Sequence, residues 1–261
     1  TPERDGKRLI VQPNTFNMYC HREPRFYLTV VWNGQWFKWE NRNTNFLYGQ
    51  PDGGPTHDAP QNGYLNRSRV SLDYIPRDNN HPYRPAIIFR MAEAYLSYAE
   101  ALNESSERMS HKQEILDNLN KIRHRAGIAE YGTGTDENGF TRIKINFSDQ
   151  KEVRRLIHKE RRVEFVGEGV RYHDLRRWKT AHYGIGNLNE QGENPDWGVN
   201  GPDYGMNYYG TEYTDQGDNA FFKRTKYMDR VYPRKFYWYP IHQSEIDKDP
   251  TLVQGPFWLG E

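Results

Sequence analysis

Arg90-Met91-Ala92-Glu93-Ala94-Tyr95-Leu96-Ser97-Tyr98-Ala99-Glu100-Ala101-Leu102-Asn103 has the apolar spacing of an amphipathic helix. With Ile87 and Ile88 just ahead of it, Met91, Ala94, Tyr95, Tyr98, Ala99 and Leu102 recur at three- and four-residue steps. The spacing predicts that this stripe is the buried face.

A second helix is predicted directly after it. Ser110 stands where a side chain can cap the first amides, and Gln113 three residues on completes a capping box. Ile115, Leu116, Leu119, Ile122 and Ala126 form its stripe, and Gly127 suits the left-handed residue that closes a helix. The two make a helical hairpin. Beyond a Gly- and Thr-rich link, Tyr131 to Gly139, a third helix capped by Ser148 or Asp149 carries Val153, Leu156, Ile157 and Phe165; Gly167 and Gly169 interrupt it before a fourth, Val170 to Thr180. Successive hairpins suggest tetratricopeptide-like stacking, with links longer than a repeat of about 34 residues allows.

Upstream, Phe26 to Trp32 reads as a strand, Asn33-Gly34 as a two-residue hairpin turn and Gln35 to Trp39 as the returning strand. Gly49 to Pro85, and later Ala181 to Asn219, are rich in Gly, Pro, Asn and Asp and read as long irregular loops, the second loaded with aromatic residues. Ser244 is placed to cap one final helical turn. The expected fold class is mainly α, with tetratricopeptide-like helical hairpins, long irregular loops and a small β-hairpin. Residues 1–85 are expected to form a loop and β-hairpin region, 86–180 the helical hairpins and 181–261 the aromatic-rich loop and tail, all in one domain.

The 36 basic and 35 acidic side chains cancel to a net charge of +1, so no electrostatic footprint points to nucleic acid or an anionic membrane. One cysteine, Cys20, excludes an internal disulfide framework and any multi-cysteine metal site. No apolar run approaches the roughly 20 residues of a membrane helix. Thr1-Pro2-Glu3-Arg4-Asp5 lacks the form of a signal peptide and a start methionine, so the chain is read as a fragment of a longer protein.

Three stretches, in order, resemble the SusD/RagB family of surface lipoproteins that bind nutrients for Bacteroidetes-type bacteria. Arg90 to Asn103, continued by Leu119-Asn120-Lys121-Ile122-Arg123-His124-Arg125-Ala126-Gly127-Ile128, resembles the family's paired helices. Glu160-Arg161-Arg162-Val163-Glu164-Phe165, with Glu168-Gly169, Arg171, Asp174-Leu175 and Arg177-Trp178, resembles its most specific motif. The ending, Tyr239-Pro240-Ile241, Glu245-Ile246, Asp249-Pro250, Leu252, Gln254 and Trp258, is similar in outline, with His242 where proline is usual. Glu23-Pro24-Arg25-Phe26 also looks like the family's entry to its ligand-side region. The resemblance implies a C-terminal portion of such a protein. It also implies a SusC-like TonB-dependent transporter as partner, an outer-membrane, cell-surface location and a lipid anchor on the part N-terminal to this chain.

The acids Glu160 and Glu164 invite a catalytic reading. They fall along the stripe begun by Val153, Leu156 and Ile157, however, and buried carboxylates need partners. Arg90, Arg123, Arg125 and Arg171 are available, so the expectation is a structural ion-pair network and no catalytic residue. The histidines His57, His81, His173 and His182 have no ligand spacing, and the Asp/Asn-rich runs Asp73 to Asn80 and Asp215 to Asn219 lack that of a calcium loop, so no metal and no cofactor are expected.

The aromatic excess, 19 Tyr and 7 Trp, is the feature expected to carry function. Sugar rings stack their C–H faces on aromatic side chains while amides and carboxylates bond the hydroxyls. Trp32, Asn33, Gln35, Trp36 and Trp39 supply that mixture around the hairpin, with Trp197, Tyr208 and Tyr209 in the second loop as the other location. Trp178, Trp238 and Trp258 are assigned to the core. The reading is a non-catalytic glycan-binding protein that delivers oligosaccharide to the transporter; an oligopeptide binder of the same family, a glycoside hydrolase and a helical-repeat scaffold are the alternatives.

Overall fold

The computed structural model describes residues 4–5, 8–9, 11, 13–37, 40–68, 70, 78–79, 81–83, 85–184 and 198–258. The mainly helical class expected from the sequence is what it shows. Six α-helices occur among the described residues: α1 Pro24–Thr29, α2 Met91–Glu104, α3 Lys112–Arg125, α4 Gln150–Glu164, α5 Val170–Arg177 and α6 Gln243–Lys248. Short strands pair antiparallel: β1 Arg4–Asp5 with β2 Arg8–Leu9, β3 Val30–Trp32 with β6 Tyr64–Asn66, and β4 Trp36–Phe37 with β5 Arg42–Asn43; β7 Gly201–Gly205 pairs with β8 Thr225–Arg230. The chain forms two compact units, residues 1–169 with 205–225, and residues 170–204 with 226–261.

In the first unit α2 packs on both α3 and α4. The buried face of α2 is Ala92, Leu96, Ala99, Glu100 and Asn103, which shares Ala99 with the predicted stripe and otherwise departs from it. Ile87 and Ile88 precede the helix, and Met91 and Tyr98 are exposed. Two polar residues share the inward face with Ala92 and Leu96. Asn103 donates to the Gln150 carbonyl at 3.3 Å and its own carbonyl accepts from Gln150 Nε2 at 2.7 Å, so a counted-as-outward side chain joins α2 to the start of α4. Glu100 lies within 3.9 Å of both His158 and Arg161 on α4.

Helix α3 buries Ile115, Leu119 and Ile122 as its stripe requires. It starts later than the capping box places it: His111 occupies the cap position, Ser110 Oγ donates to the Glu107 carbonyl, and Gln113 bonds Asp117. Gly127, at φ +65°, closes the helix while the Ile128 amide returns to the Arg123 carbonyl at 3.2 Å. Asp149 caps α4, accepting from the Lys151 and Glu152 amides. In the second unit α6 is capped by His242, which accepts from the Ser244 amide, rather than by Ser244. Leu175, Ala181 and Tyr232 form this unit's core with Trp178 against it, whereas Trp238 is exposed.

The predicted hairpin on Asn33-Gly34 is replaced by a different local structure. Pro24, whose fixed φ suits a first helical position, starts α1 where a strand was expected. Gly34 turns at φ +89°, yet the strands flanking it do not pair with each other. Register puts Trp32 opposite Tyr64 and Trp36 opposite Asn43, so the small hairpin lies one strand further on. An aromatic core of Tyr19, Tyr27, Trp32, Phe46, Met206, Phe221 and Phe222 fills this side of the first unit.

Candidate functional site

Two loop segments meet on the first unit. The earlier, residues 45–56, is fastened at its base by Phe46, a buried ring whose amide donates to Asn33 Oδ1 at 2.7 Å. Asp52 closes it, accepting from Arg42 at 2.6 and 2.8 Å and from the Asn45 amide at 2.8 Å. Burial opposes ionisation of Asp52, and the Arg42 hydrogen bond, the Asn45 amide and the Arg42 charge together outweigh it, holding the carboxyl below its ordinary range. Because Arg42 lies on β5, the ion pair also ties this loop to the β4–β5 hairpin. At Gly53 a Cβ would stand 1.9 Å from the Leu47 carbonyl oxygen, so only glycine fits the turn.

The later segment, 205–222, turns on Asn207. Its side-chain amide donates to the Asp218 and Ala220 carbonyls, and its Oδ1 accepts from the Tyr209 amide at 3.1 Å. The Tyr48 amide donates to the Gly210 carbonyl at 2.8 Å, joining the two segments.

The junction assembles three tyrosines. Ring centroids lie 5.6 Å apart for Tyr48 and Tyr209, 6.1 Å for Tyr48 and Tyr208 and 5.1 Å for Tyr208 and Tyr209. Tyr208 meets both other rings edge-on and Tyr48 meets Tyr209 at a tilt of 44°, and Tyr209 remains 70% exposed. Tyr208 donates to the Thr56 carbonyl at 3.4 Å. On the same loop as Tyr48, Asn45 and Gln50, amide to amide at 3.3 Å, offer both donors and acceptors. The result is an aromatic platform on a loop that also carries neutral polar groups.

The structure distributes the expected site residues unevenly. Trp32 is fully buried against Phe26 and Tyr27, each with centroid 5.4 Å away, so its ring has no face for a ligand. Asn33 and Gln35 are buried as well, Asn33 being spent on the Phe46 amide. These three are core residues, because the chain enters them from α1 and not from a two-faced hairpin. Trp36 is half-buried on β4. Trp39 and Trp197 lie outside the described residues, as does most of the Asp73 to Asn80 run. Tyr208 and Tyr209 stand together, joined by Tyr48, which sequence reasoning missed although it sits at the lip of the Gly/Pro-rich loop.

The two acids of the helical motif are engaged. Glu160 accepts from Arg25 at 2.7 Å and from Arg123 at 2.9 Å. Glu164 pairs with Arg25, Arg90 and Arg125, and Arg90 also bonds Glu168. Burial works against the Glu164 charge, and the Arg90 and Arg125 bonds hold its carboxyl below the usual range all the same. Arg25, the partner not foreseen, comes from the Glu23-Pro24-Arg25-Phe26 entry. Among the described residues no cluster of three or more His, Cys, Asp or Glu side chains is placed to hold a metal ion, and no helix is long and apolar enough to cross a membrane.

Comparison with known proteins finds a match to the SusD family model over residues 4–258. Two SusD-like proteins of Formosa agariphila are each 32% identical, over 109 and 103 residues; these stretches cover 42% and 40% of this chain but 18% and 19% of those proteins. A SusD-like protein from Bacteroides fragilis superposes with a TM-score of 0.62 at 26% identity over 93% of this chain and 40% of its own. A SusD-like carbohydrate binding protein from the same organism shares the fold, with a TM-score of 0.58 at 22% identity over 95% of this chain and 44% of its own. The chain thus spans well under half the length of the relatives it matches.

Proposed function

This chain belongs to the SusD family, and on that premise we propose that it binds glycan at the cell surface without altering it and passes oligosaccharide to a TonB-dependent transporter of the outer membrane. The observation that carries the reading is the Tyr48, Tyr208 and Tyr209 platform, with Asn45 and Gln50 on the loop that carries Tyr48. A pyranose has an apolar C–H face and a rim of hydroxyls, and aromatic rings and amides are the partners each takes. Uncharged amides on that loop suit a neutral sugar. A carbohydrate-binding relative of the same fold supports the assignment.

The non-catalytic reading draws on the charged motif. Hydrolysis of a glycosidic bond uses an acid and a base or nucleophile facing one cleft, whereas Glu160 and Glu164 are buried and bonded by arginines. Their role is to hold helices together.

The test is calorimetric titration of the intact protein with oligosaccharides released from soluble polysaccharides, followed by chromatography of the recovered sugar. Binding with the sugar returned unchanged is the expected result. Shortened products, or binding only of peptides, would overturn it. Co-purification of a TonB-dependent channel from the producing cells, and digestion of the protein by protease added outside them, test the partner and the location.

A further inference from the structure

We propose that the cleft between α3 and the 129–147 segment is a second glycan contact, separate from the tyrosine platform; the proposal rests on the glycan-binding reading. The cleft measures about 930 Å³, toward the upper end of the roughly 300 to 1,000 Å³ of small-molecule sites. It shares no residue with the platform.

Its helical wall is one face of α3 along nearly the whole helix, from Lys112 to His124, opposite the core residues Ile115, Leu119 and Ile122. The facing wall is irregular chain, yet firmly held. Asn120 clamps it to the helix, its Oδ1 accepting from the Tyr131 amide at 2.8 Å and its Nδ2 donating to the Tyr131 carbonyl at 2.9 Å. Arg142 pairs with the buried Glu130 at 2.9 Å. Asp136, itself buried, accepts from the amides of Glu130, Asn138 and Phe140. These bonds set the cleft before any ligand arrives, which lowers the entropy lost on binding.

Other groups line the cleft. Among the described residues Lys112, Lys144 and Glu137 make no ion pair, and Gln113, whose Nε2 donates to Asp117 at 2.8 Å, adds an amide. Ammonium and amide groups donate to sugar hydroxyls, and carboxylates accept from them. Leu116 and Phe147 provide apolar surface between these groups. That alternation of polar rim and apolar strip fits a saccharide better than an apolar protein face, which needs a contiguous patch.

Two contacts on one unit would act on a polymer as linked sites, so affinity for a long chain exceeds affinity for a short one with no change in either site. The experiment compares the intact wild type with Tyr209→Ala and with the triple variant Lys112→Ala, Gln113→Ala, Lys144→Ala. The probes are amylopectin, arabinoxylan, galactomannan and polygalacturonate in affinity gels, then a tetrasaccharide of whichever polymer retards the protein. The triple variant should melt like wild type, bind the polymer about tenfold or more weakly, and lower the tetrasaccharide stoichiometry from two to one. Polymer binding and stoichiometry equal to wild type, with Tyr209→Ala still impaired, would overturn the second contact and leave the platform standing. Loss of channel co-purification at unchanged glycan affinity would make the cleft a protein-docking groove instead. Retardation by no polymer would sink the glycan reading itself, and this proposal with it.

Discussion

Arg25 Nη1 on α1 donates to Glu160 Oε1 on α4 at 2.7 Å, joining residues 135 apart in the chain, and the same nitrogen reaches Glu164 Oε2 at 3.1 Å. One guanidinium therefore serves two buried carboxylates. Taking away one member of such a buried group leaves charge uncompensated, at a cost of about 3 to 5 kcal/mol. Arg25→Ala and Glu164→Ala should each lower the unfolding free energy by that order in urea titrations. Arg25→Lys should recover only part of it, since an ammonium lacks the planar fork. A loss below about 1 kcal/mol in the alanine variants would contradict the assignment.

Acid should act through the same carboxylates. Glu164 is buried but held below its ordinary pKa by Arg90 and Arg125, and Asp52 is held down against its burial by Arg42 and the Asn45 amide. For a folded-state pKa below the unfolded one, the unfolded chain takes up the proton first. The stabilisation is then complete above the ordinary carboxylate value of about 4 and is lost as pH falls from there through the depressed folded value. Unfolding free energy should be flat from about pH 7 to 5 and should decline below about 4. Glu164→Gln should be less stable at neutral pH and show a shallower decline in acid. Stability that rises on acidification would refute both assignments.

The platform and the buried tryptophan separate function from stability. Stacking on an aromatic ring is worth about 1 to 3 kcal/mol for nucleic-acid bases, and the same order is taken here for sugars. Tyr209→Ala should weaken glycan binding roughly tenfold and leave the melting temperature within a degree or two of wild type. Trp32→Ala should do the opposite, costing about 3 to 5 kcal/mol of stability. Differential scanning calorimetry beside titration calorimetry reads both; an unaffected affinity in Tyr209→Ala would remove the platform from the site.

A methyl group tests how the platform is seated. A Cβ at Gly54 would stand 2.6 Å from the Tyr208 ring, inside any real carbon contact, so Gly54→Ala must displace that ring from its place in the platform. Affinity should fall about as far as in Tyr208→Ala, and Gly54→Ala combined with Tyr208→Ala should be no weaker than Tyr208→Ala alone. Additive losses would show that Gly54 acts elsewhere.

The order of α2 to α5 was legible in the sequence because α3 and α4 bury ordinary aliphatic stripes, such as Ile115, Leu119 and Ile122, whereas α1 stands where a strand was expected. The face of α2 was not, since Glu100 and Asn103 point inward to partners about 50 residues away, and periodicity scores polar residues as outward. The arginine network was half legible: carboxylates at buried helical positions demand cations, but nothing local identifies Arg25 as one of them. Tyr208 and Tyr209 were readable as an aromatic loop. Tyr48 was not, because it meets them through the Gly210 carbonyl, a contact set by tertiary folding alone. Trp32 misled for a related reason, as a proline in α1 decided how the chain arrives there.

The aromatic core begun by Tyr19, Tyr27, Trp32 and Phe46 is closed by Met206, Phe221 and Phe222. About 160 residues of chain separate its two halves, a closure that costs entropy before the contacts offset it. Helices α2 to α4 can pair within that stretch from contacts between neighbours. The early rings cannot be sealed until the 205–222 excursion has docked, so a folding intermediate with the helices paired and that excursion loose exposes an open aromatic surface and is the most aggregation-prone species.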